Sequence, residues 1–251
     1  MSILPITYPT ERWKALAEDA RHLRNELIRL TEKRVIWTAH NQSLESISIK
    51  DSTSIVHHWL RSNYTESMIV GFRRILDRTK GTRSLIKLLD RISQDCQEFT
   101  FARYLSLYSI TAEEHHVELA AADFSLFSGD GKTIDRSLVE ADINRLRSDS
   151  KELIEYANSR ITHWRPDQPQ QAVLKLTYDQ LHKAFDDVGA VLNKYHLLLT
   201  ASQGTYEPAM PFGYEKAFAR MVKGSGKKLE SRIVLRDESS APQSPDPNAA
   251  E

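Results

Sequence analysis

The chain has 251 residues, with 34 Lys and Arg against 34 Asp and Glu, so no bulk positive field recruits nucleic acid and any polyanion site must be a local patch. Hydrophobic residues make up 40% and charged residues 27%, the composition of a globular protein rather than a disordered one. The one cysteine, Cys96, excludes an intrachain disulfide and a thiolate zinc cluster, and suits a reducing compartment. The opening MSILPITYPTERW has an early proline and no basic-then-apolar run, so no signal peptide is read. No stretch approaches the ~20 consecutive apolar residues of a membrane span. The expectation is a soluble, cytoplasmic protein.

Helical periodicity dominates the chain. Trp13, Leu16, Ala20, Leu23, Leu27 and Leu30 recur at steps of three and four after Thr10, a capping residue. They predict a helix from about 10 to 39. The polar stretch that follows reads as a loop, with a short apolar alternation at Leu44, Ile47 and Ile49. Val56, Leu60, Tyr64, Met68, Phe72 and Ile75 predict a second long helix over about 52 to 78. SLIKLLDRI (84–92) resumes the pattern as a short helix after Gly81, and 97 to 122 reads as helical with a poorer pattern. SGDGKT (128–133) is a turn.

Val139, Ile143, Leu146, Leu153, Ala157 and Ile161 share a face and predict a helix over about 137 to 164, stopped by Pro166. Thr177 with Gln180 makes a capping box. It opens the cleanest helix in the chain, with Leu181, Phe185, Val188, Leu192, Tyr195 and Leu199 as its stripe. Beyond Leu199 the pattern ends, apart from a helical turn near Tyr214 to Met221, and SSAPQSPDPNAAE has the composition of a disordered tail. ESRIVLR (230–236) has the pattern of an edge strand. Amphipathic helices of this kind cannot bury their apolar faces alone, so the expected architecture is an all-α helical bundle.

Four stretches carry candidate chemistry. Gly131-Lys132-Thr133 suggests a phosphate loop, but that motif needs a glycine at 126, where Leu126 stands, so the stretch reads as an ordinary turn. His57-His58 and His115-His116 are adjacent pairs whose members diverge by about 100° on a helix, which is poor for chelating one ion. No metal site and no cofactor are expected. Arg73 to Arg91 holds seven basic residues against two acids, and Arg73, Arg74 and Arg78 become candidates for phosphate contact. A solvated helix face with i,i+4 pairs is the competing reading.

The fourth stretch is YANSRITHWRPD (156–167). On a continuing helix, Tyr156, Arg160 and His163 fall on one stripe. An Arg fork for phosphate oxygens beside a His that titrates near neutrality suits metal-free RNA cleavage. A helix C-terminus whose dipole simply favours cations is the alternative.

Three stretches of the chain resemble the HEPN superfamily of helical domains, and within it the branch of bacterial abortive-infection proteins of the U type. They are SNYTESMIVGFRRILDRTKGTRSLIKLLDRI (62–92), DINRLRSDSKELIEYANSRITHWRPD (142–167) and LTYDQLHKAFDDVGAVLNKY (176–195). HEPN nucleases carry an Arg, a polar residue and, after a short interval, a His. His163 matches the His and Asn158 the polar residue. The Arg position falls at Tyr156 or Ala157, and Arg160 is followed by only two residues before His163.

The resemblance implies a four-helix bundle over about 1–205 with an inserted helical segment at about 84–136, followed by an irregular segment and tail over 206–251. It implies a defence or toxin-like RNA-binding protein acting as a metal-independent endoribonuclease. In it His163 is the general acid/base, Arg160 the phosphate ligand and Asn158 an orienting hydrogen-bonder. Partners implied are a second copy in a homodimer, RNA, and an antitoxin or other protein, with no membrane. The rival reading is a non-catalytic helical dimer that binds a protein or a nucleotide. A metalloenzyme is the third.

Overall fold

Thr10 begins the first helix as the spacing predicts: its hydroxyl accepts from the Trp13 amide at 3.2 Å. The computed structural model describes residues 8–46, 55–108, 114–158 and 177–206, together with 208, 213, 216 and 220. Within these it is all-helical: α1 (Glu11–Ser46), α2 (Ile55–Leu76), α3 (Leu85–Gln94), α4 (Phe101–Leu105), α5 (Glu114–Phe124), α6 (Arg136–Asp149), α7 (Lys151–Tyr156) and α8 (Tyr178–Thr200). No helix among the described residues is long and apolar enough to cross a membrane.

The chain divides into two units. One comprises Met1–Trp37 with Asp51–Met210, and the other Thr38–Lys50 with Pro211–Glu251. In the second unit the last turns of α1 bury His40 and Ser43, and the Ser43 hydroxyl donates to the Ala39 carbonyl at 2.8 Å. The helix therefore continues past the expected end at 39. The polar residues there weaken the apolar pattern without breaking the hydrogen-bond ladder.

The first unit holds the main core, and every position of three predicted stripes for which burial is described lies in it or packs on it. The α1 stripe from Trp13 to Leu30 is buried, as is the α8 stripe from Leu181 to Leu199. Trp13 ties the two helices: its indole N–H donates to the Leu199 carbonyl at 3.1 Å, and its ring lies 4.7 Å from that of Phe99. On α2, Tyr64, Met68, Phe72 and Ile75 are buried and Leu60 packs against the core. Gly71 lets α2 approach α1, because a Cβ there would stand 2.4 Å from a Leu30 methyl carbon. The Thr177–Gln180 capping box forms as read, with the Gln180 amide donating to Thr177 Oγ1 at 3.2 Å.

Two predicted helices are broken. The stretch expected to be helical over 97–122 becomes a single 3₁₀ turn (Cys96–Glu98) and then α4 and α5. Phe99 is buried, and its flank pairs with the turn at 128–133 instead of coiling: Phe101 N–H donates to the Lys132 carbonyl at 2.9 Å and Ile134 N–H to the Phe99 carbonyl at 3.2 Å. Phe99, Tyr104, Phe124, Phe127 and Ile134 join the same core, so this segment packs on the bundle. The helix expected over 137–164 is split at Ser150, whose hydroxyl bonds back to the Leu146 carbonyl, a competition that bends helices. The end of that helix, the edge strand over 230–236 and the tail lie outside the described residues, as do residues 47–49 of the apolar alternation. So does the turn near Tyr214 to Met221 apart from 216 and 220, which are helical.

Candidate functional site

The predicted cationic patch is the simplest case. Arg74 and Arg78 are exposed, at and beyond the end of α2, and Arg73 is half-buried. Arg74 faces Glu26 of α1 at 3.7 Å, and Arg83 and Arg91 converge on Asp19 of α1 at 3.2 and 3.1 Å. Lys87 donates to the Thr79 and Thr82 carbonyls. The excess of positive charge in the local sequence is thus offset in part by two acids 48 to 72 residues away in the chain, which a local reading could not include.

The 128–133 turn is self-satisfied. Asp130 Oδ1 accepts from the Lys132 and Thr133 amides at 2.9 and 3.3 Å, and the Gly131 amide donates to Ser128 Oγ at 2.8 Å. Gly131 takes φ 71°, the left-handed region that favours glycine. Its amides face inward rather than toward a phosphate. Among the described residues no three His, Cys, Asp or Glu side chains converge as a metal-binding group.

Of the catalytic candidates, Asn158 is exposed and lies just past α7, where the winding has loosened to a π turn at Ala157–Asn158. Arg160 and His163 lie outside the described residues. Tyr156, on the stripe predicted for them, lines a groove of about 360 Å³ between the first turns of α2 and α8. From α2 come His58, Arg61, Ser62, Thr65 and Glu66, and from the start of α8 Thr177, Tyr178 and Leu181.

Arg61 is the groove's fixed cation. Its Nε donates to the Tyr178 hydroxyl at 3.2 Å, and its guanidinium carbon stands 5.9 Å from the Tyr178 ring centroid. That leaves both terminal amino groups of the fork for other partners, and no carboxylate among the described residues is within salt-bridge distance of it. The positive ends of the α2 and α8 dipoles both fall here. Among the described residues that line the groove, Glu66, two turns along α2 from Trp59, is the one acid.

Behind the groove is an aromatic stack. Trp37 lies over Tyr64 at 5.0 Å and 10°, with His57 at 5.8 Å and Tyr178 at 5.6 Å. Tyr64 hydrogen-bonds His182 Nε2 at 2.6 Å. Burial holds the Tyr64 phenol well above its ordinary value, and burial, followed by the Arg34 charge, holds His182 below its own. Burial and the neighbouring His58 and Arg61 hold His57 low. This cluster is a site that sequence reasoning missed. The histidine pair at 57–58 is legible in the sequence only as a poor chelator, because Tyr156 and Tyr178, which line the groove with His58, come from helices about a hundred residues away.

No curated protein and no solved structure matches the chain. The family model HEPN_AbiU2, described as AbiU2, matches residues 14–218, a span that covers the bundle and the groove. The chain belongs to the AbiU2 family of HEPN proteins, and so to the abortive-infection, defence-related part of that superfamily.

Proposed function

We propose that the protein acts on RNA in defence, as a metal-independent endoribonuclease. The observation that carries the reading is Tyr156 on the wall of a groove holding Arg61, His58 and the hydroxyls of Ser62 and Thr65. Arg160 and His163 follow Tyr156 four and seven residues later in the chain. A guanidinium fork and hydroxyl donors match phosphate oxygens, and His163 supplies the imidazole that moves protons.

In this reading His163 takes the ribose 2′-hydroxyl proton or protonates the departing 5′-oxygen. The 2′-oxygen attacks phosphorus and the bond to the 5′-oxygen breaks, which leaves a cyclic phosphate and a free 5′-hydroxyl. Arg160 stabilises charge on the scissile phosphate and Asn158 orients it. Arg73, Arg74 and Arg78 contact the RNA backbone away from the cut, since Arg74 lies about 20 Å along α2 from Arg61 at ~1.5 Å per residue. A second copy completes the assembly, and an antitoxin or other protein restrains it.

The experiment is expression in a bacterial host. The wild-type chain slows growth and His163→Ala relieves it. Equal growth with both proteins, at equal soluble levels, contradicts the reading. That outcome favours a non-catalytic interaction module, for which the exposed Leu119, midway along α5, and Leu126, just beyond its end, are the specific support.

A further inference from the structure

Trp59 is 63% exposed on the second turn of α2, the most exposed tryptophan described. It neighbours His58, and it shares its helix face with Ser62 and Glu66, both of which line the groove. An indole in water forgoes its burial energy unless a ligand covers it. Beside it, Arg61 offers two unpaired guanidinium amino groups, its third donor being held by Tyr178. Cation, imidazole and helix N-termini gather at one end of the groove, and Glu66 lies one to two turns farther along α2.

We infer that the His58–Arg61 end of this groove is a nucleotide subsite, in which Arg61 and His58 hold an RNA phosphate while an unstacked base covers Trp59. The ligand class is single-stranded RNA: a base engaged in a duplex must first give up its pair and its stack to cover an indole on a helix surface, and an unpaired base need not. Glu66 repels a phosphate at its own end and so sets the register, with the phosphate toward the start of α2. Tyr178 is a positioning residue, because its hydroxyl fixes the Arg61 fork and its place in the chain is fixed by the Thr177 cap. The subsite rests on the RNA-binding reading but is independent of cleavage, since none of its residues is assigned to proton transfer.

The test is fluorescence anisotropy with a labelled 2′-O-methyl oligoadenylate, which cannot be cut through its 2′-oxygen, and with the duplex formed by its complement. Wild-type protein is expected to bind the single strand and to bind the duplex at least tenfold more weakly. Trp59→Ala weakens single-strand binding about tenfold while Trp59→Phe stays within a few-fold of wild type, in keeping with one lost base stack. Arg61→Ala weakens it similarly and lowers the salt dependence by about one phosphate contact. Both side chains lie at the surface, and an unchanged circular dichroism spectrum verifies the fold. If wild type binds and the Trp59 and Arg61 variants bind equally well, or if duplex and single strand bind alike, the subsite is overturned and RNA binding stands. If wild type binds no RNA, the RNA reading itself falls and the subsite with it.

Discussion

Tyr64 and His182 meet at 2.6 Å across the interface of α2 and α8, directly behind the groove. Their environments divide the proton between them. A phenol pushed up by burial keeps its hydrogen, and an imidazole pushed down stays neutral, so we assign Tyr64 as donor and His182 Nε2 as acceptor. The ring proton then sits on Nδ1. Because Tyr64 also stacks on Trp37, this pair holds α1, α2 and α8 in one arrangement beneath Arg61 and Tyr178.

That assignment gives a pH dependence with a definite sign. A folded-state imidazole value below the ordinary 6.5 means that the unfolded chain binds the proton more readily. The stabilisation is complete above pH 6.5 and is lost as pH falls from there toward the depressed value. Arg34 reinforces the depression, while Asp186 and Asp179 oppose it. His57 and His196 carry shifts of the same sign. Thermal midpoints are therefore expected to fall between pH 7 and pH 5. The described carboxylates with resolved shifts, such as Asp77, are held below 3.8 and contribute only at lower pH. His182→Gln, which can still bond Tyr64, flattens the profile. A midpoint that rises on acidification contradicts the assignment.

Asp142 ties α6 to α8. Its Oδ2 accepts from Lys194 at 2.7 Å and from the buried Tyr195 hydroxyl at 3.0 Å, and Arg145 stands 3.6 Å from Oδ1. Asp142→Ala strands the Tyr195 hydroxyl in the core. It is expected to cost about 2–3 kcal/mol, with Asn costing less because it can still accept one bond. Urea unfolding reads this as a lower midpoint at an unchanged slope.

Two helix glycines should respond in different ways to alanine. At Gly189 of α8 a new Cβ meets Leu27 and Tyr206 at 3.5 Å, ordinary contact distance, and the change restores helix propensity. Gly189→Ala is expected to stabilise by about 0.5–1 kcal/mol. At Gly71 the same methyl meets the buried Leu30 side chain at 2.4 Å, so Leu30 must move and the gain is offset. Calorimetry should rank the Gly189 variant above wild type, and above the Gly71 variant.

What the sequence reveals here follows the range of each signal. Helix stripes and caps are local, so the α1 and α8 stripes and the Thr177 cap were readable from spacing alone. The breaks at Phe99 and Ser150 were not, because one depends on pairing with Ile134 and Lys132 and the other on a hydroxyl choosing its own backbone. Charge behaved likewise: Arg83 and Arg91 look like a free cationic patch until α1 brings Asp19 between them. The groove joins residues 58 to 66 with 156 and 177 to 181, and no spacing rule links those segments. The family resemblance reached further, since motif order survives where contacts are unreadable, and the match over residues 14–218 bears it out.

The central claim, cleavage of RNA without metal, is tested most directly by incubating the purified protein with single-stranded RNA in EDTA and analysing the new ends. The account predicts 2′,3′-cyclic phosphate and 5′-hydroxyl ends, lost in His163→Ala at unchanged helical content. Intact RNA with the wild-type protein, or equal cleavage by the variant, would contradict it.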